Sequence, residues 1–299
     1  MKTIKFNLNN VPKLEDGCAL CLGYFDGLHI GHRTLIESAL KTNKKVAVLT
    51  FDFSPKLFLK HTDNFVLTSL EDKERILAKM GVSYLLIIEV TDELLNVDKI
   101  VFIETVLKHL NPSSLFCGKD FRFGRNKEGS VDDLKKSFTT YDIDLVDYEN
   151  RKISSSRIIR LLEKGDIEES NILLGRYYSI KGPVVKGFGN GGRLGFKTAN
   201  LDLSNHYFLP LNGVYICYAI FDGTKHEAIA NIGVHPSIDK LEKPIVEVHL
   251  LDYDDELLGK NLEVSFLSFV RPEIKFESKE DLIEQIGRDI SDAIYYFKK

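Results

Sequence analysis

Cys18–Phe51 reads CALCLGYFDGLHIGHRTLIESALKTNKKVAVLTF, and three runs within it decide the fold of the first half. Cys18–Gly23 is a short apolar run closed by glycine. From Gly31 to about Lys41 the apolar residues Leu35, Ile36, Ala39 and Leu40 recur at helical spacing, and Val46–Phe51 is a second buried-strand run. Strand, turn, helix and strand make a βαβ unit, with parallel strands and a right-handed crossover. The rhythm continues downstream. Ser69 is placed to cap a helix through Met80, Tyr84–Val90 is a strand, and Ile103, Val106, Leu107 and Leu110 form a helical stripe. Ser114–Cys117 leads into another strand, and Ile143–Tyr148 reads as a later one. Such alternation predicts a parallel sheet covered by helices, with ligands at the carboxyl ends of its strands.

From about Tyr177 the texture changes. Short β-type runs at Tyr178–Lys186, Gly213–Phe221, Ala228–Ile232, Ile245–Leu251 and Leu262–Phe269 are separated by Gly, Pro, Asn and Asp, which predicts a closed or strongly coiled antiparallel sheet. Ser278 and Asp281 form a capping box before a final helix whose apolar face is Leu282, Ile286, Ile290 and Ala293. Ser155–Leu174 bridges the halves. The expected architecture is α/β: a Rossmann-like parallel-sheet domain over residues 1–175, bridging helices included, and an antiparallel β-barrel domain with a terminal helix over 176–299. Length supports two domains, since 299 residues exceed one typical domain and 43% are apolar. Forty Lys+Arg against 44 Asp+Glu give a net charge of −4, which argues against a nucleic-acid partner gripped by bulk positive charge. No apolar run is long enough for a membrane span. The opening MKTIKFNLNN lacks a secretory leader, which sets the expectation of a cytoplasmic protein. Oligomeric state is left between monomer and weak oligomer.

Leu22–His32, LGYFDGLHIGH, sits where the first strand hands over to the first helix, and there backbone N–H groups and a helix N-terminus offer an anion site. Gly23, Gly27 and Gly31 permit a tight turn close to a ligand. His29 and His32, three apart at the helix start, can point at one bound group, which suits charge building on a phosphate during nucleotidyl transfer. A lone histidine or a lone glycine turn is more often structural. The combination between strand and helix favours phosphate. Other signals carry no chemistry. Cys18 and Cys21 spell C-x-x-C on a strand and so face opposite sides, which suits neither a disulfide nor shared zinc. Asp252–Glu256 lacks the glycine of a calcium loop and reads as a hairpin tip.

GYFDGLHIGH resembles the HxGH signature of the nucleotidyltransferase superfamily, and the flanking FDG resembles its FAD synthetase branch. Two further segments are similar to that branch. Gly118–Gly124, GKDFRFG, resembles the loop lining the flavin and adenine region. There Phe121 and Phe123, two apart on an extended segment, share a side, which suits either flanking a ring or packing as two core aromatics. Ile153–Arg157, ISSSR, resembles ISSTR. The resemblance implies nucleotide or flavin binding by Gly23, Phe25, Asp26, Gly31, Gly118, Asp120, Phe121, Ser155, Ser156 and Arg157, with His29 and His32 catalytic. The chain departs from the pattern where Ile159 takes the second arginine position. Arg160 lies one place later, rotated by ~100° on a helix. Thr50–Lys56, TFDFSPK, likewise lacks the family's histidine.

Tyr178–Leu201, YSIKGPVVKGFGNGGRLGFKTANL, resembles the opening of riboflavin kinase domains. The likeness implies a phosphate-wrapping glycine loop with Gly187, Gly189 and Gly195, Mg²⁺ and ATP phosphates at Thr198 and Asn200, and Glu247 in VEVHLLD as general base. Arg271, in RPEIKF, would serve the flavin end. Lys197 stands where the family has proline, which is expected to relax the turn carrying Thr198 and to add a cation near the metal. The family as a whole is the bacterial bifunctional riboflavin kinase/FAD synthetase. Its implied activity is phosphorylation of riboflavin to FMN, then adenylylation of FMN to FAD with release of pyrophosphate, with ATP and Mg²⁺ required and flavins as substrate and product. Two alternatives stay open: a monofunctional FAD synthetase with an impaired kinase domain, and a non-catalytic flavin- or nucleotide-binding regulatory protein.

Overall fold

A computed structural model describes residues 1–14, 17–62, 65–144, 146–187, 196–203, 207–235 and 243–299, with no account of the side chains at 234, 235, 243 and 244. The chain divides into two units, Met1–Ser155 and Ser156–Lys299.

In the first unit, strands β1 (Lys2–Phe6), β2 (Ala19–Leu22), β3 (Val46–Phe51), β4 (Tyr84–Ile88) and β5 (Ser114–Gly118) are joined by helices α1 (Ile30–Leu40), α2 (Pro55–Phe58), α3 (Leu70–Lys79), α4 (Asp92–Leu95) and α5 (Lys99–Phe102). The last of these runs on into a π turn at Ile103–Leu107. A small ribbon, β6 (Arg122–Phe123) with β7 (Gly129–Ser130), precedes α6 (Val131–Lys135) and β8 (Thr140–Ile143). The main sheet has the order β1-β4-β3-β2-β5-β8 and is parallel throughout. From β2 the chain builds outward through β3 and β4, then returns to lay β5 on the other side of β2. The direction therefore reverses between β2 and β5, and the crevice beyond their carboxyl ends is where such sheets bind ligands.

Both faces are dry. Cys18, Leu20, Leu22, Leu49, Leu86 and Leu115 pack on one side, and Ala19, Cys21, Val48, Leu85 and Phe116 on the other. Burial of both faces explains why these strands read as unbroken apolar runs. Cys18 and Cys21 do fall on opposite faces, and burial pushes the Cys18 thiol up to about 12. Ser69 caps α3 by accepting from the Asp72 amide at 3.1 Å. One expected strand is misplaced: β8 ends at Ile143, and the residues after it form a hairpin of β9 (Asp147–Tyr148) with β10 (Arg151–Lys152). Glu149 and Asn150 take φ of 52° and 57°, the two left-handed positions of a tight hairpin turn.

In the second unit, α7 (Ser155–Leu162) and α8 (Ile167–Leu174) lead into β11 (Tyr178–Val185), β12 (Ala199–Leu201), β13 (Gly213–Phe221), β14 (Thr224–His235), β15 (Lys243–Leu250) and β16 (Asn261–Pro272). These six strands close as an antiparallel barrel in the order β11-β12-β15-β14-β13-β16, with β16 returning to β11. Asp222 and Gly223 supply the left-handed pair at the β13–β14 hairpin. The terminal helix α9 (Lys279–Phe297) is capped by Ser278, whose oxygen accepts from the Asp281 amide at 3.1 Å.

Arg271, on β16, donates from Nε to Asp289 Oδ1 at 2.9 Å and from its terminal nitrogen to Asp289 Oδ2 at 2.7 Å. Its side chain is 16% exposed and that of Asp289 only 3%, so this bidentate pair pins α9 to the barrel. Asp289→Ala, which strands the guanidinium, is expected to destabilise this unit by about 3–5 kcal/mol, read by denaturant unfolding of the full chain.

Candidate active site

The turn between β2 and α1 is built from residues whose backbone would not hold such a shape alone. Phe25 and Leu28 take φ of 54° and 39°, and Gly27 takes 78°. Two side-chain-bearing residues in the left-handed region are costly, and persist only where the surroundings over-determine them. Those surroundings are visible. Asp26, 5% exposed, accepts the Leu67 and Thr68 amides on Oδ1 at 3.0 and 3.2 Å. Ser155 donates its hydroxyl to the Asp26 carbonyl at 2.9 Å. Thr50 donates to the Tyr24 carbonyl at 2.7 Å. Burial raises the Asp26 carboxyl above its ordinary range, opposed by Lys73 and the amides it accepts.

His29 is the N-cap of α1 and accepts the His32 amide on Nδ1 at 3.3 Å. An accepting Nδ1 leaves the ring proton on Nε2. The two imidazoles stack with centroids 3.6 Å apart and planes 16° off parallel, and the Phe25 ring meets His32 edge-on at 5.2 Å. A Cβ on Gly31 would lie 3.3 Å from the His29 ring, so glycine there lets the ring lie over the helix start. Burial first, then the charges of His29, Lys73 and Lys152, hold His32 well below the usual imidazole range, so it is neutral near pH 7. Among the described residues, His32 Nδ1 is the one buried side-chain nitrogen or oxygen without a hydrogen-bond partner. A buried polar atom left orphaned calls for an explanation.

Gly23 opens this turn directly after β2, and Gly118 ends β5 across the reversal crevice. Asp120 is exposed and paired with Lys152. Phe121 and Phe123 do not flank a slot: their rings stack on each other at 6.0 Å, and Phe123 also meets Phe102 in the core at 5.6 Å. No third ring fits between centroids that close, and Phe121, only partly buried, keeps the outward face. Ser156, Arg157 and Arg160 belong to the second unit. Ser156 and Arg160 are exposed, and Arg157 is paired with Glu169 of α8 at 2.6 Å. Missed in the sequence were Lys73 and Thr50, both buried against the turn.

On the barrel, Asn200 of β12 stands opposite Glu247 of β15, and Glu247 stands opposite Asn231 of β14. Val246, Val248 and Leu250 fill the barrel core, while Glu247 and His249 alternate to the other face. A Cβ on Gly187 would fall 2.2 Å from Asn200 Nδ2, so a side chain there would displace the Asn200 amide. Gly189 and Gly195 lie outside the described residues. The Lys197 turn is hydrogen-bonded at both its carbonyl and its side chain. His249 Nδ1 bonds the Lys197 carbonyl at 2.8 Å, and Lys197 Nζ donates to the Asp254 carbonyl at 2.6 Å. Both bonds are made by Lys197, the residue before Thr198, and its ammonium reaches the β15–β16 turn. Asn200 shares a sheet face with its cross-strand partner Glu247, and the Asn200 amide oxygen and Thr198 hydroxyl are hard donors of the kind magnesium takes.

A parallel sheet with two stacked histidines at its reversal crevice and a closed antiparallel barrel are the two units on which an activity must be placed. Comparison with known proteins makes the assignment specific. Residues 11–159 match the FAD synthetase family model and 174–297 the riboflavin kinase model. The bifunctional riboflavin kinase/FMN adenylyltransferase of Listeria monocytogenes is 34% identical over 94% of this chain and 92% of its own length, and that of Bacillus subtilis 33% over 93% and 92%. A crystal structure from Streptococcus pneumoniae, described as a macrolide-efflux protein, superposes with a TM-score of 0.88 at 29% identity over 97% of each chain. No helix among the described residues is long and apolar enough to cross a membrane. The chain belongs to the bifunctional riboflavin kinase/FMN adenylyltransferase family.

Proposed function

We infer that this chain converts riboflavin to FMN and FMN to FAD, each with ATP, and that the residues gathered above carry the two steps. In the first unit an FMN phosphate oxygen attacks the α-phosphorus of ATP, the bond to the β-phosphate oxygen breaks, and pyrophosphate leaves. His29, with its proton on Nε2, and neutral His32 supply N–H donors to the charge that builds on the α-phosphate. Gly23, Phe25, Asp26 and Gly31 shape the seat. Gly118, Asp120 and Phe121 serve the flavin and adenine side, and Ser155, bonded to the Asp26 carbonyl, the leaving pyrophosphate. The observation that carries this reading is the orphaned His32 Nδ1 beneath the turn at the sheet's reversal point.

In the second unit the ribityl 5′-hydroxyl attacks the γ-phosphorus, ADP leaves, and Glu247 accepts the hydroxyl proton. Magnesium held by Thr198 and Asn200 would neutralise charge on the ATP phosphates. Gly187, against the Asn200 amide, serves the phosphate side, and Arg271 serves the flavin end while anchored by Asp289. The boundary between the two activities falls near 175/176. The reactions draw on ATP, which supports a cytoplasmic setting. Neither step calls for a nucleic-acid or membrane partner, and the chain works as a monomer or weak oligomer.

Purified protein supplied with ATP, Mg²⁺ and either riboflavin or FMN, with products separated by chromatography, tests this. FMN and FAD are expected from riboflavin, and FAD from FMN. FAD from FMN alone would mark a silent kinase half, and tight flavin binding with no product would mark a regulator.

A further inference from the structure

Lys73 is a charge the fold has no ordinary reason to bury. It lies on α3 with 1% of its surface exposed, on the same stripe as Leu70 and Leu77. Its ammonium donates to the Tyr24 carbonyl at 3.0 Å and to Thr50 Oγ1 at 3.4 Å, and stands 4.3 Å from the centre of the Tyr24 ring. Burying an ammonium costs several kcal/mol before its partners compensate, so an apolar residue would serve packing better. What the charge does reach is the peptide that enters the left-handed turn. In a trans peptide the N–H points away from the carbonyl. Fixing the Tyr24 carbonyl therefore fixes the direction of the Phe25 amide and the start of the cradle. The opposite charge of Asp26 acts on the same ammonium, and Asp26 ties the turn to the Leu67–Thr68 backbone.

We propose that Lys73 is a positioning residue for adenylyl transfer: its ammonium, acting through the Tyr24 carbonyl and Asp26, holds the β2–α1 turn in the shape that seats ATP over His29 and His32. This rests on the adenylyl-transfer reading given above. The groups around it are Asp26 and the Tyr24 ring on the turn, the Thr50 hydroxyl on β3 and His32 on α1. Burial lowers the Lys73 ammonium to about 8, opposed by Asp26. The device is intact below that pH and lost as the proton leaves above it.

The test compares wild type, Lys73→Met, Lys73→Arg and the pair Asp26→Asn/Lys73→Met in the full chain. It measures FAD formation from FMN and ATP between pH 6 and 10, with riboflavin phosphorylation in the same samples reporting the other unit. For wild type, kcat/KM for ATP is expected to fall above about pH 8. Lys73→Met is expected to lose about 100-fold in kcat/KM at pH 7, the cost of a misplaced reacting group, and to lose the alkaline limb. Lys73→Arg is expected to recover part of the activity and move that limb upward. Removing both buried charges relieves the strain of leaving either one unpaired, so the double variant is expected to fold and remain inactive. A double variant that regains activity along with its fold would make Lys73 merely structural and overturn the proposal. So would Lys73→Met acting within twofold of wild type, or keeping the wild-type alkaline limb. A wild-type chain that makes no FAD from FMN sinks the adenylyl-transfer reading itself, which is a separate result.

Discussion

Replacing His32 by alanine is expected to cut FAD formation from FMN by about 100- to 1,000-fold, the usual cost of losing one preorganised donor to a developing oxyanion. FMN formation from riboflavin by the same chain is expected to stay unchanged. The expectation follows from how His32 is held. Its ring is pinned between the His29 face and the Phe25 edge, and its buried Nδ1 has no partner. Because burial presses its pKa well below the usual imidazole range, His32 is neutral near pH 7 and above. His29 must be separated from its capping work. Asparagine retains a good N-cap for α1 and removes the imidazole. His29→Asn is therefore expected to preserve the melting temperature to within a few degrees and still lose the adenylyl step. A variant that melts normally and makes FAD at the wild-type rate would show that the stacked rings only pack the turn. Pyrophosphate release, followed continuously, reads all three proteins.

Much of this site could be read before any coordinates, because the signals were local. The βαβ unit announces itself through two apolar runs and a helical stripe, and both histidines fall at the junction because sheets of this kind place their turns there. The caps at Ser69 and Ser278 and the alternation around Glu247 are equally local, and all three were found where the residues put them. What escaped depended on contacts distant in sequence. Strand β1, with Lys2, Thr3 and Lys5, pairs only along one edge with β4 and carries no apolar run to betray it. Strand β12 is three residues long and hides within a glycine-rich segment. Lys73 looks like one more helix charge until the turn carbonyl 49 residues away is brought to it. Its one sequence signal is a lysine on the stripe shared by Leu70 and Leu77. The Lys197 turn is a similar case. The proline is missing, and a bond from His249 of the neighbouring strand to the Lys197 carbonyl stands at that turn, a contact no local pattern announces.

Glu247→Gln is expected to lower riboflavin phosphorylation by about 100- to 10,000-fold, the range that a positioned general base contributes, and to leave FMN adenylylation intact. Glutamine keeps the size of the side chain and its place on β15 opposite Asn200 and Asn231, so the barrel register has no cause to change. It cannot take the proton of the attacking hydroxyl. The variant fed riboflavin should accumulate neither FMN nor FAD, while the variant fed FMN should make FAD at the wild-type rate. The two feeds together isolate the lost step, since a general defect in folding or ATP supply would depress both. The Lys197 turn gives this experiment a second arm. His249→Ala removes the bond to the Lys197 carbonyl and is expected to raise the Mg²⁺ concentration needed for half-maximal kinase activity more than it lowers the rate at saturation, because it loosens the turn that presents Thr198 without touching the base. If Glu247→Gln phosphorylates riboflavin as fast as wild type, the proton leaves by another route, and Glu247 is one more solvated residue on the outer face of a strand.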